Sequence, residues 1–204
     1  MNVTQFMHMH YGDLLLTPAL FHEVKHRLHV DLGDETYQLN DDGTLNMYRF
    51  QSAYTHVAQL FSQLFQQDDE VLIVMNSYPI DRTKTTYPNV FRRYVNAQHK
   101  RYTLRTHSFY WALDDDDVYV QQMTLACRVA ELKWQPLLQA LIHKDFRKLQ
   151  PQLRCKHNAY APSVFFINVR TTCIFHVYDD RGCEIMSANA TLLDQIKPYT
   201  RYAQ

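Results

Sequence analysis

Four glycines in 204 residues leave few places where the chain can take a left-handed turn cheaply. The four cysteines, Cys127, Cys155, Cys173 and Cys183, are irregularly spaced and form no Cys-x-x-Cys, which argues against a disulfide scaffold or a zinc ribbon. They are expected as reduced thiols, and the expected compartment is the cytoplasm. Charge of either sign is not in excess. Lys and Arg number 21, as do Asp and Glu, so a large nucleic-acid footprint or a polybasic membrane surface is not expected. The apolar runs fall far short of the twenty or so residues that span a bilayer. The first ten residues have neither a basic region nor a long apolar segment, so no signal peptide is expected. There is no Gly-x-Ser-x-Gly, no phosphate loop and no dinucleotide fingerprint.

What is present is material for a core: 46% of residues are apolar and 13% aromatic. That suits one domain over 1–204, with 1–16 as a loosely held arm. Thr17-Pro18 predicts a helix running to about residue 26, with Thr as cap and Pro at the first helical position. A strand follows at 27–32. Tyr54, Val57, Ala58, Phe61, Leu64 and Phe65 recur at helical spacing, which predicts a long helix from about 45 to 67. The apolar run 71–75 predicts a central strand covered on both faces. Residues 77–89 are expected as loop, 90–97 as a short helix, 102–109 as a strand, 114–117 as a polar turn and 118–129 as a long strand. Helices are expected at 134–142 and 190–196.

The densest apolar and β-branched run is 164–186, VFFINVRTTCIFHVYDDRGCEIM. It predicts a three-stranded meander. Pairing Val169 with Cys173 sets Phe165, Ile167 and Val169 on one buried face with Cys173, Phe175 and Val177. The opposite face then carries Asn168, His176 and Tyr178 and is expected to be only partly covered. For the second turn, a loop over 180–182 pairs Asp179 with Cys183 and keeps Ile185 beside Val177 on the apolar face. Gly182 is then expected in the left-handed position of a bulged loop.

Candidate chemistry is sparse. His22-Glu23-Val24-Lys25-His26 matches H-E-x-x-H, in which two histidines one helical turn apart bind zinc and the glutamate acts as base. This makes a metal-dependent hydrolase the alternative function, although Lys25 and Arg27 crowd the site with charge. Met7-His8-Met9-His10 offers donors suited to copper. Cys155, His157, Cys173, His176 and Cys183 are zinc-ligand types at unsuitable spacing. Asp114 to Asp117 lack the glycine and distal glutamate of a calcium loop. No metal, cofactor or catalytic residue is therefore expected. Arg92, Arg93, Lys100, Arg101 and Arg105, interleaved with Tyr94 and Tyr102, suggest a second alternative, RNA or phosphate binding. Asp179, Asp180 and Arg181 sit at a turn tip, and the turn itself needs no arginine there.

Phe166-Ile167-Asn168, the run Ile174-Phe175-His176-Val177-Tyr178-Asp179-Asp180-Arg181-Gly182-Cys183, and residues 68–78 resemble an uncharacterised bacterial family catalogued as a domain of unknown function. The resemblance runs from about residue 28 to 199. It implies a small cytosolic bacterial protein and brings no established activity. Neighbourhood with toxin genes in proteins of this kind makes an immunity-like role conceivable. The expectation is thus an α+β domain: one largely antiparallel or mixed sheet, helices mainly on one face, and a C-terminal meander. Its expected role is non-catalytic binding of another protein through Asp180, Arg181, Asn168, His176 and Tyr178, with nucleic acid and membrane not expected as partners.

Overall fold

The computed structural model describes residues 1–33, 36–82, 90–113, 116–153 and 158–200. Among them, seven strands form one antiparallel sheet in the order β1-β7-β6-β5-β2-β4-β3. The strands are β1 (Arg27–Asp31), β2 (Glu70–Ser77), β3 (Arg105–Leu113), β4 (Asp116–Arg128), β5 (Ser163–Asn168), β6 (Cys173–Val177) and β7 (Gly182–Ser187). The helices are α1 (Val3–Tyr11), α2 (Leu20–Glu23), α3 (Met47–Leu64), α4 (Val90–Tyr94), α5 (Trp134–Ile142) and α6 (Ala190–Ile196). None of the described helices is long and apolar enough to cross a membrane.

The fold is α+β with its helices mainly on one face, as the residue pattern suggests. α3 earns its place through an apolar stripe, Phe50, Ala53, Val57, Leu60, Phe61 and Leu64, at three- and four-residue spacing. That stripe packs with α4, α5 and α6 over Ile73, Met123, Leu125, Phe166, Phe175 and Ile185 of the sheet. β2 lies between β4 and β5, and residues 71–77 are all buried. A continuous apolar strand is what a doubly covered position demands.

The second face is where expectation and structure part. Residues 1–16 do not dangle. Asn2 caps α1 through a reciprocal capping box with Gln5. Val3, Phe6, Met7 and Tyr11 then bury against Leu72, Val74, Phe165, Ile167, Ile174 and Met186, and the Tyr11 hydroxyl donates to the Thr172 carbonyl at 2.6 Å. The α1 side of the sheet is therefore a second apolar core with His176 buried beneath it, while Asn168 is buried on the α3 side.

The meander is present but its registers differ. Asn168, not Val169, pairs with Cys173. Val164 and Phe166 thus share a face with Cys173 and Phe175, while Phe165 and Ile167 go to the α1 side. Hydrophobicity could not choose, because both faces are buried. The turn itself chose: the Asn168 side-chain oxygen accepts from the backbone N–H of Arg170 (3.0 Å) and Thr171 (3.2 Å). Thr172, at φ 55°, takes the left-handed position. In the second turn Val177 pairs with Cys183, two residues from the expected register. Ile185 still lies on the expected face. Gly182 is not left-handed. A Cβ there would meet the Tyr178 hydroxyl at 2.2 Å and the Val30 carbonyl at 2.8 Å, so close approach is what requires glycine.

Candidate functional site

Three arrangements of polar or exposed side chains gather near the β6–β7 turn. The first is the turn's brace. Arg49, on the first turn of α3, reaches into the core with its Nε 3.0 Å and its Nη2 2.9 Å from the Asp180 carboxylate. Nη2 also donates to the Asp180 carbonyl, and Nη1 donates to the carbonyls of Gly33 and Thr36. Both partners are nearly sealed, with side-chain exposures of 5% and 3%. One guanidinium thus fixes both the turn and the loop leaving β1. On the outside, Asp179 accepts from the Arg181 backbone N–H at 2.8 Å and holds its guanidinium in a bidentate grip. Arg181 therefore stays exposed in a fixed posture.

The second arrangement is a row across three strands on the α1 side of the sheet. His176, Glu184 and His29 are cross-strand neighbours on β6, β7 and β1. Glu184 is buried. One carboxylate oxygen lies 2.8 Å from His29 Nδ1, and the other has no hydrogen-bond partner. His29 Nε2 lies 3.2 Å from Asp31, and the Tyr178 ring stacks on the imidazole at 6.0 Å. Desolvation opposes the charge on His29, but the hydrogen bonds and charges of Glu184 and Asp31 prevail and raise its pKa. His176 goes the other way. Burial pushes it down to about 4, while its Nδ1 engages the Val164 carbonyl at 2.9 Å. It is clasped between Phe165 and Phe21. Two histidines flanking one carboxylate are thus driven in opposite directions, His29 upward by its hydrogen-bonded carboxylates and His176 downward by burial.

The third is an apolar groove. Leu39, Leu45 and Phe146 line it, with Asp42, Asp145, Arg147 and Lys148 at its sides. Its loop is ordered by the Leu39–Leu45 bridge and by the Asn46 amide, which donates to the Tyr37 carbonyl. The same stretch exposes Tyr37 by 82% and Tyr48 by 69%, with Leu39 and Met47 about half exposed. The loop that carries the groove is tied to the turn through Arg49, which donates to the Thr36 carbonyl at 2.7 Å and to the Asp180 carboxylate at 2.9 Å.

The residues singled out from sequence are dispersed by the fold. Arg181 is exposed, Tyr178 half-buried, and Asp180, His176 and Asn168 buried. Asn168 lies at the other end of the sheet. There its amide donates to the Leu64 carbonyl and to Asp69, at 2.9 and 2.8 Å. Asp69 also takes two bonds from Arg170. Burial works against the Asp69 carboxylate, but these donors hold its pKa below the usual range. Sequence reasoning missed Arg49, His29, Glu184 and the 37–48 surface. A cation four residues before Ala53, on the apolar stripe of α3, was the available signal for Arg49.

The other motifs resolve simply. α2 is four residues long and Val24 is extended (φ −99°, ψ 131°), so His22 and His26 are not one helical turn apart. The zinc-hydrolase geometry is absent from this segment. In α1, Met7 is buried and Met9 exposed, and His8 lies 2.9 Å from Asp13. Among the described residues no cluster of His, Cys, Asp and Glu could hold a metal. Cys155, His157, Asp114 and Asp115 lie outside them. In the basic stretch Tyr94 is buried, Arg93 lies over its ring, and Lys100 pairs with Glu131 at 2.6 Å. Residues 98–103 form a 3₁₀ turn and the strand begins at Arg105, later than expected.

The chain belongs to the family described as a domain of unknown function, DUF3885, whose model matches residues 3–204. The match extends well before residue 28, so the segment holding His22 and His26 lies inside the family domain. A relative, described as the uncharacterized protein YnaE of Bacillus subtilis (strain 168), is 28% identical over 211 residues. The alignment covers 99% of this chain and 95% of that protein. No solved structure matches.

Proposed function

We propose that this is a non-catalytic, cytoplasmic binding protein whose partner is another protein, held at the groove beside the braced β6–β7 turn. The observation that carries the reading is the exposure of Tyr37, Leu39, Met47 and Tyr48 beside a groove floored by Leu45 and Phe146. Aromatic residues and methionine are enriched at the centres of protein interfaces, and contiguous exposed apolar surface is uncommon without a partner to cover it. Arg181 adds an arginine already frozen by Asp179, so little side-chain entropy is lost when it makes a contact. The loop is anchored by Arg49, so the surface is formed before binding. Capture from a lysate of the native host tests the reading, with the wild-type chain compared against Leu39→Arg and Tyr48→Ala. A partner retained by wild type and lost by both folded variants supports it. A partner retained equally by all three places binding elsewhere.

A further inference from the structure

The two edges of the sheet are built differently. β1 is five residues long and carries Arg27, His29 and Asp31 at alternate positions. Short length and charge are how proteins blunt an edge against pairing. β3 at the other edge is nine residues long, with no glycine, proline, lysine or acidic residue. Among the described residues no strand covers its outer side. Residues 105–108, Tyr110 and Ala112 are exposed and Phe109, Trp111 and Leu113 only half-buried. The β3–β4 ribbon also runs beyond β2, because β4 pairs with β2 only from Gln121 onward whereas β3 follows it from Asp116.

We infer that β3 pairs antiparallel with β3 of a second copy of this chain about a two-fold axis at Phe109, joining two sheets into one. This surface lies at the far edge from β1 and does not rest on the groove reading. The strand is self-complementary in that register. Phe109 faces its own copy, and His107 faces Trp111 on the same side of the sheet. On the reverse side Ser108 faces Tyr110 and Thr106 faces Ala112. Aromatic cross-strand pairs of this kind are among the stabilising ones. Charge does not oppose the pairing: Arg105, the one arginine or lysine on the strand, faces Leu113 of the second copy, so no like charges meet across the seam. A two-fold interface needs this kind of self-matching surface.

Light scattering on the full chain after size exclusion tests it. Wild type is expected at twice the 24.3 kDa chain mass. Phe109→Lys and Phe109→Asp are each expected to lose the dimer, because like charges then meet on the axis. Mixing the two variants is expected to restore it as a heterodimer, a result that a folding defect cannot produce. A monomeric wild type, variants that remain dimeric, or folded variants that stay monomeric on mixing would each overturn the inference. So would protection of the β3 amides from hydrogen exchange only when a foreign extended peptide is added, which would assign the edge to another polypeptide.

Discussion

Arg49 and Asp180 stand 131 positions apart in the chain, yet form a buried ion pair with two guanidinium bonds near 3 Å. The pair joins the start of the longest helix to the β6–β7 turn and, through two carbonyls, to the loop after β1. Breaking one side leaves a charge sealed without a partner, which typically costs about 3–5 kcal/mol. Arg49→Met and Asp180→Leu alone should each lower unfolding stability by that order. Together they should cost clearly less than the sum, because the double variant buries no unpaired charge. Urea unfolding of the four proteins measures the coupling.

Stability should pass through a maximum near neutral pH. His29 has a folded pKa above 6.5, so its contribution is complete below 6.5 and is lost as pH rises through the folded value. His176 has a folded pKa of about 4, so the unfolded chain takes up a proton first as pH falls from 6.5 toward 4. That acid-side loss is about 3 kcal/mol, spread over this window. His29→Gln should flatten the alkaline limb and His176→Gln the acid limb. Unfolding free energies across the range, with NMR titration of both imidazoles, check the assignment.

Backbone positions give a sharper contrast. Gly182→Ala should destabilise markedly, since its Cβ has no room between the Tyr178 hydroxyl and the Val30 carbonyl. Thr172→Gly should be neutral or stabilising by about 1 kcal/mol, because Thr172 holds a left-handed conformation that disfavours a β-branched residue. Thermal unfolding should shift clearly downward for Gly182→Ala and hold or rise for Thr172→Gly.

The buried thiols make a chemical prediction. Burial raises the pKa of Cys127 to about 12 and pushes Cys173 and Cys183 well up too. None of the three is expected to react with a thiol reagent in the native state, and all should react in denaturant. Peptide mapping after labelling distinguishes them from Cys155.

Much of the architecture is written locally. Helices α5 and α6 begin and end where Trp134 to Ile142 and Ala190 to Ile196 suggest, and the apolar run of β2 marks the sheet's interior. Strand register was not legible, because Phe165 and Phe166 both find a core and alternation carries no signal between two buried faces. Helix α1 is only nine residues long, so the helical spacing of its buried Val3, Phe6, Met7 and Tyr11 is a weak local signal. The candidate surface was legible only at Arg181. Glu184 and His29 meet through a pairing 155 positions apart, and the groove joins the 39–45 and 145–148 segments, which no local pattern connects.

Hydrogen exchange on the captured complex tests the central claim most directly. The account predicts new protection over 37–48, 145–148 and 179–182, with the α1 side of the sheet unchanged. Protection confined to other segments, with those three exchanging as in the free protein, would contradict it.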